Sequence, residues 1–329
     1  MFKVLTALPV ALLLATSSAS GNGIEGVGTS QDFGGIRTFL RAPYVSDIKD
    51  LNADIAVIGV PFDEGTTGKP GTRYGPRDIR EASLVYSWAR KKGYFYIDTK
   101  RKVLEGISWA DLGDVNVVPT LPAMTAENIT KAVTAIVKRD AFPVVLGGDH
   151  SISFPVVRAL KGSPLTLVHI DAHADNALSS KDMFDHASWV DKASHLPHVK
   201  KVIQIGMRGI INSETNLRNA KKMGATVVTT ERIHREGVAA AIASIPKSER
   251  IYVSIDIDAL DPSIAPGTGS AEVGGLFFQE VSQILMGIPS RGRVVGMDVV
   301  EVNSLYDETG RTAQTAARLI LDLTGAALP

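Results

Sequence analysis

Cysteine is missing from all 329 residues, which excludes disulfides, thiolate zinc sites and cysteine nucleophiles. An excess of either charge is missing too: 35 basic residues balance 35 acidic ones, with no long run of like charge. That balance gives no electrostatic argument for nucleic acid or an anionic membrane as partner. Linkers, repeats and low-complexity stretches are absent after the first twenty residues. What remains is a chain that is 44% hydrophobic, long enough to bury one large core or two modest ones.

The N-terminal stretch MFKVLTALPVALLLATSSASG carries one lysine, an apolar run from Val4 to Ala15, and small residues from Ser18 to Gly21. Residues 1–20 read as a secretory signal peptide, too short to span a bilayer. The alternative is an apolar N-terminal arm that packs on the fold or on a neighbouring subunit. The first reading implies a secreted or periplasmic protein with no membrane association after processing. The second implies a cytoplasmic one.

Residues 21–329 read as a single domain. Short runs rich in Val and Ile recur at 54–60, 142–148, 165–171, 201–207, 250–258 and 293–302. They mostly lack clean alternation, as strands covered on both faces do. Segments of helical period lie near 77–90, 125–139, 151–160, 213–223, 275–287 and 311–323. Alternating strands and helices predict an α/β fold, a mainly parallel sheet with helices on both faces.

The unusual residues sit where those strands end: GGDH at 147–150, DAHAD at 171–175, DID at 256–258 and Glu301 in VVEVN. In open α/β sheets, sites form outside the carboxyl ends of the strands, so four strands can deliver these groups to one place. If the backbone stays extended, Asp171, His173 and Asp175 share a face, as do Asp256 and Asp258. Such a cluster repels itself and resists burial unless a cation neutralises it. Carboxylates with a minority of imidazoles suit manganese and related divalent ions, and the lack of sulfur argues against structural zinc. His169 lies inside the apolar run and reads as a core histidine. His186, eleven residues past Asp175, is either a proton shuttle folded back over the strand ends or a surface histidine. An EF-hand reading of the DIDALD stretch fails, because Asp261 and Gly267 stand where that loop needs Gly and Glu.

These motifs resemble the ureohydrolases, which comprise arginases, agmatinases and related guanidino-compound hydrolases. The resemblance runs from about Gly34 to Leu321, through GGIRTFLRAP, GVPFDEGTTGKPGTRYGPRDIREAS, GGDHSIS, DAHAD, FDHAS, QIGMRG, SIDIDALDPSIAPGTG and DVVEVN. It implies an arginase-like three-layer sandwich and a binuclear centre, usually of manganese, with nickel or cobalt as alternatives. His150, Asp171, Asp175 and Asp256 would hold one ion. His173, Asp171, Asp256 and Asp258 would hold the other, with Asp171 and Asp256 bridging. The implied chemistry is attack of metal-activated water on a guanidinium carbon, giving urea and an amine. Glu301 is then assigned to holding the guanidinium, His186 to proton transfer, and Asp175 also to orienting the nucleophile.

The loop NALSSKDMFDH lacks the Asn/Thr/Ser pattern with which arginases grip their amino acid, which argues against arginine. The agmatinase branch fits better, making agmatine the first substrate choice and 4-guanidinobutanoate or 3-guanidinopropanoate the next. Departures from that branch occur at Ala187, Ser188, Ala271 and Val273. Alternatives are hydrolysis of a formimidoyl or other amidine compound at the same centre, and a metal-dependent binding protein without catalysis. The resemblance also implies a homo-oligomer, trimer or hexamer.

Overall fold

A computed structural model of the chain describes residues 34–178 and 184–328. The signal peptide or arm expected over residues 1–20 lies outside the described residues. The unit from Ile36 to Pro329 is organised around one sheet. Its strands, in chain order, are β1 (Ile55–Gly59), β4 (Trp109–Asp114), β5 (Phe142–Leu146), β6 (Leu165–Ile170), β7 (Val199–Met207), β8 (Thr226–Thr229), β9 (Ser248–Asp256) and β10 (Gly292–Val300). A separate antiparallel hairpin pairs β2 (Tyr94–Tyr96) with β3 (Arg101–Val103).

The sheet order is β4-β1-β5-β10-β9-β6-β7-β8, and every neighbouring pair is parallel. Parallel pairing needs crossovers, and the helices that supply them cover both faces. Alternation along the strands divides the core in two. Val57, Leu146, Ile170 and Ile255 pack with the helices Phe278–Gly287 and Arg311–Ala327. Ile58, Val145, Leu167 and Tyr252 pack with Pro122–Val137, Ser153–Ala159 and Trp189–Ser194. The result is the expected three-layer α/β sandwich. Among the described residues, no helix is long and apolar enough to cross a membrane.

All six expected strands are present. The motif-bearing ones, β5, β10, β9 and β6, are the four contiguous strands at the middle of the sheet. The order therefore concentrates GGDH, Glu301, DID and DAHAD over one stretch of the sheet's carboxyl edge. Strands β4 and β8, the hairpin, and the helices Trp189–Ser194, Thr230–Glu236 and Val238–Ser244 are additions to the expected set.

Candidate metal centre

Each strand end turns in its own way. After β5 comes a glycine pair. A Cβ built on Gly148 would lie 1.8 Å from the Phe62 carbonyl oxygen, so only glycine lets this backbone pass. The next residue, Asp149, accepts from the Gly65 amide at 2.7 Å and the Ser151 amide at 2.9 Å, which starts the turn carrying His150.

The expectation that DAHAD and DID converge through extended backbone is corrected. β6 ends at Ile170, and the His173 amide then donates to Asp171 Oδ1 at 2.5 Å, a local turn that competes with the strand. Asp175 has a left-handed backbone (φ 45°). β9 ends at Asp256, whose side chain caps the 3-10 turn Ile257–Ala259 by accepting from the Asp258 amide at 2.9 Å. Glu301, just past β10, is also left-handed (φ 62°). Backbone strain at two polar strand-end residues marks a place where position outweighs local comfort.

These turns bring all eight expected residues together: six line one cavity, and His150 and Asp171 lie buried against them. His150 Nδ1 lies 3.1 Å from an oxygen of each of Asp171, Asp175 and Asp256. Asp171 turns its other oxygen, Oδ1, to within 3.5 Å of His173 Nδ1, which is itself 3.1 Å from Asp258 Oδ2. Asp171 thus stands between two groups, as a bridging ligand would. The open pocket, about 250 Å³, is lined by His173, Asp175, His186, Asp256, Asp258 and Glu301, with Thr67, Ala177, Ala187, Ile211, Asn212, Asn216 and Ser270 further out.

The donor set fits divalent ions. His150, Asp171, Asp256 and Asp258 are almost fully buried, and four carboxylates share the space. His173 Nε2 is buried without a hydrogen-bond partner. Two groups of donor atoms, His150 with His169, Asp171 and Asp175, and Asp171 with His173 and Asp258, are each compact enough to hold an ion. Asp256, expected in both sets, falls in neither, and His169, expected as a core histidine, joins the first. The ionisation balance points the same way. Burial alone would push His150 down, but its contacts with Asp171, Asp175 and Asp256 hold it well above the ordinary imidazole range. His173, opposed by burial, is raised to about 12 by Asp258 and Asp171. Burial and the charges of Asp258 and Asp171 push Asp256 well above the carboxylate range. The cluster demands positive charge. Nitrogen and oxygen donors without sulfur are not those of a structural zinc site.

His186 and Glu301 form the other wall. His186 Nδ1 lies 3.0 Å from Glu301 Oε1, and the same oxygen accepts from the His150 amide at 2.9 Å. His186 Nε2 is 2.9 Å from Thr67 Oγ1. Burial opposes the His186 proton, yet the Glu301 contact raises its pKa to about 9. Of the two readings left open for His186, the surface histidine is set aside: its side chain is 12% exposed and faces the cavity.

Sequence reasoning missed several supporting groups. Asp149 was visible in GGDH, but nothing local shows that it ties Gly65, and through the His186 amide on Gly65 O at 3.0 Å, the whole wall. Burial and the charge of Glu301 raise Asp149 to about 7. His169, read as a core histidine, is fully buried but faces the cluster, with Nε2 2.6 Å from Asp171 Oδ2 and Nδ1 3.2 Å from Gln204 Nε2. Trp189 stacks on His150 at 4.6 Å between ring centroids and donates to Asp175 Oδ2 at 3.0 Å. The available signal was proximity: His169 stands two residues before Asp171, at the carboxyl end of β6. Arg208, in QIGMRG, is engaged by the backbone carbonyls of Asp258, Ala259 and Glu272, so it braces the site rather than offering a free cation.

Known proteins similar to this chain are numerous. The sequence model of the arginase family matches residues 53–325. The chain is 36% identical over 300 residues to the mitochondrial guanidino acid hydrolase of Homo sapiens, covering 88% of this chain and 82% of that one. It is 33% identical to a guanidinobutyrase of Pseudomonas aeruginosa, covering 88% and 92%. Among solved structures, the proclavaminate amidino hydrolase of Streptomyces clavuligerus superposes with a TM-score of 0.79 at 31% identity, covering 90% and 99%. This chain belongs to the arginase family of hydrolases.

Proposed function

We propose that this cavity is the active site of a hydrolase that cleaves a linear guanidino compound to urea and an amine. The observation that carries the reading is the pairing, in one pocket, of a carboxylate–imidazole cluster with the His186–Glu301 wall. His150, Asp171, Asp175 and Asp256 would hold one divalent ion, and Asp171, His173, Asp256 and Asp258 the other. Manganese is the first choice, with nickel and cobalt as alternatives. When bound, such ions lower the pKa of water enough to make a nucleophile at neutral pH, which a poorly electrophilic guanidinium carbon requires.

The chain's own groups do the rest. Glu301 Oε1 is already held by two donors, so Oε2 is the oxygen left to take a guanidinium N–H, a charge-assisted bond that fixes the carbon in place. Asp175, anchored by Trp189, orients the attacking water. His186, held between Glu301 and Thr67, delivers a proton to the departing amine.

The substrate tail leaves past Thr67, Ile211, Asn212, Asn216 and Ser270, a wall of hydroxyl, amide and apolar groups. Agmatine is the proposed substrate. The relatives named guanidino acid hydrolase and guanidinobutyrase favour a second reading, an acid-tailed compound such as 4-guanidinobutanoate. The test is urea release from manganese-loaded protein offered agmatine, 4-guanidinobutanoate, 3-guanidinopropanoate and arginine. Turnover of agmatine above the acids supports the first reading, and the reverse order replaces it with the second. Release of formamide from a formimidoyl compound, with no urea from any member, contradicts both.

The proposal extends to assembly as a trimer or hexamer, supported by the exposed Trp88, Phe95 and Ile97 and checked by sedimentation. It also includes removal of residues 1–20 on export, which intact mass reads directly.

A further inference from the structure

One residue row below the strand ends, the sheet is polar where it should be apolar. Asp298 of β10, Ser254 of β9, His169 of β6 and Gln204 of β7 are register partners across four adjacent strands. All four are fully buried. Buried polar side chains of this kind are costly unless each is partnered. The Asp298 end of the row has its partners, and they lead to the cluster above. Tyr252 Oη donates to Asp298 Oδ2 at 2.6 Å, and Ser254 Oγ donates to Asp298 Oδ1 at 2.6 Å. Ser254 Oγ then lies 2.8 Å from His150 Nε2.

The directions of these bonds follow from valence. A carboxylate only accepts, and Asp298 Oδ1 at 2.6 Å takes the single Ser254 proton in preference to Ser153 Oγ at 3.4 Å. Ser254 Oγ can then only accept from the imidazole, which places a proton on His150 Nε2. The opposite nitrogen, Nδ1, is the one that faces Asp171, Asp175 and Asp256. The other neutral tautomer would set two acceptors against each other at Nε2 and put a proton where an ion would bind. A metal-bound histidine generally has its second nitrogen fixed in this way.

We infer that Asp298, acting through Ser254, is a positioning residue that holds the His150 lone pair on Nδ1 for a metal ion, an inference that rests on the metal-centre reading above. Asp298 reaches His150 through Ser254, on the Nε2 side, while the carboxylates of the cluster face Nδ1. Its effect falls on the ion that His150 would hold and leaves the His173 ion largely alone.

The experiment uses the full-length protein, stripped by chelation and titrated with Mn2+, read by calorimetry and by electron paramagnetic resonance. Wild-type protein should take two ions per chain and show the broad spectrum of a coupled pair. If it does not, the metal-centre reading fails and the inference falls with it. Ser254→Ala and Asp298→Ala should each weaken one binding step about 10–100-fold and spare the other, so that the six-line spectrum of an isolated ion appears at intermediate Mn2+. Asp298→Asn, whose amide oxygen still accepts from Ser254, should recover most of the affinity. Tyr252→Phe removes the other hydroxyl from the same carboxylate without cutting the link to His150. It should lower Tm and leave both binding steps unchanged. Equal weakening of both steps, or weakening by Ser254→Ala no greater than by Tyr252→Phe, would assign the row to fold stability and overturn the inference.

Discussion

Replacing Glu301 by glutamine removes a charge and keeps an acceptor, which makes it a sharp probe of the His186 wall. Glu301 Oε1 takes the His150 amide at 2.9 Å and faces His186 Nδ1 at 3.0 Å, and both contacts survive geometrically in Glu301→Gln. The charge-assisted part of the His186 contact does not. A hydrogen bond to a charged partner contributes about 1.5–3 kcal/mol. At 1.36 kcal/mol per pKa unit, that corresponds to roughly one to two units. His186, raised to about 9 in the wild type against the pull of burial, should therefore titrate near 7–8 in the variant, by about the same arithmetic. The assay is a proton NMR titration of the metal-free protein, with the His186 resonance assigned by its loss in His186→Ala. Stability carries the same signature. A histidine whose folded pKa is raised stabilises the fold fully below its unfolded value near 6.5, and loses that contribution as pH rises through about 9. In Glu301→Gln the decline of stability across that window should shrink. In the loaded enzyme, kcat/KM should fall about 10²–10³-fold, the loss expected for one positioned charge at a transition state. An unchanged His186 titration in Glu301→Gln would refute the pairing on which the proton-transfer role depends.

Chelation should destabilise the fold. Two ions, each at about 100 times its Kd, stabilise by about 5.4 kcal/mol together. Spread over about 290 residues at roughly 2.1 cal/mol/K each, this corresponds to a Tm loss of about 9 °C on metal removal, read by calorimetry with and without Mn2+. An identical Tm in both states would count against the site. Arg80 is buried and bonded to Asp111, Asp114 and the Gly113 carbonyl, so Arg80→Ala should cost about 3–5 kcal/mol in urea unfolding by stranding Asp111. A loss under about 1 kcal/mol would mean that the pair is replaceable by water. Gly148→Ala should be at least as damaging as ordinary overpacking, about 1–3 kcal/mol, and should displace His150 enough to lower Mn2+ affinity. Retained affinity in that variant would show that the glycine contact is not what seats the loop.

Much of this architecture can be read from local pattern, and the omissions have a common cause. Runs such as FPVVLGG and LTLVHID become β5 and β6 because they are covered on both faces and so stay apolar along their length. Edge strands carry a weaker signal. WADLGD becomes β4 and TVVT becomes β8, each too polar or too short to stand out. The helices at 189–194, 230–236 and 238–244 have six or seven residues, too few for a period to show. The ligand candidates stand in tight motifs, which is why spacing and chemistry suffice to find them. Asp298, Ser254 and Gln204 open the motifs DVVEVN, SIDIDALDPSIAPGTG and QIGMRG, but nothing within those motifs shows that they meet one another or His150. Ser254 meets a ring 104 residues away and a carboxylate 44 residues away, and only strand register, which no local pattern encodes, brings them together. The extended-backbone expectation for DAHAD failed for a related reason. Asp171 forms a turn with the His173 amide, so the carboxylates converge by folding back rather than by alternating along a strand.

The most direct test measures metal content and urea release on one preparation. Protein purified with Mn2+ should hold two ions per chain and release urea from agmatine or a guanidino acid. It should stop when a chelator removes the ions, resume when Mn2+ returns, and fail to resume in Asp258→Asn with one ion lost. Urea release that continues in metal-free protein, or that survives in Asp258→Asn with both ions retained, would contradict the assignment of this cluster as the catalytic centre.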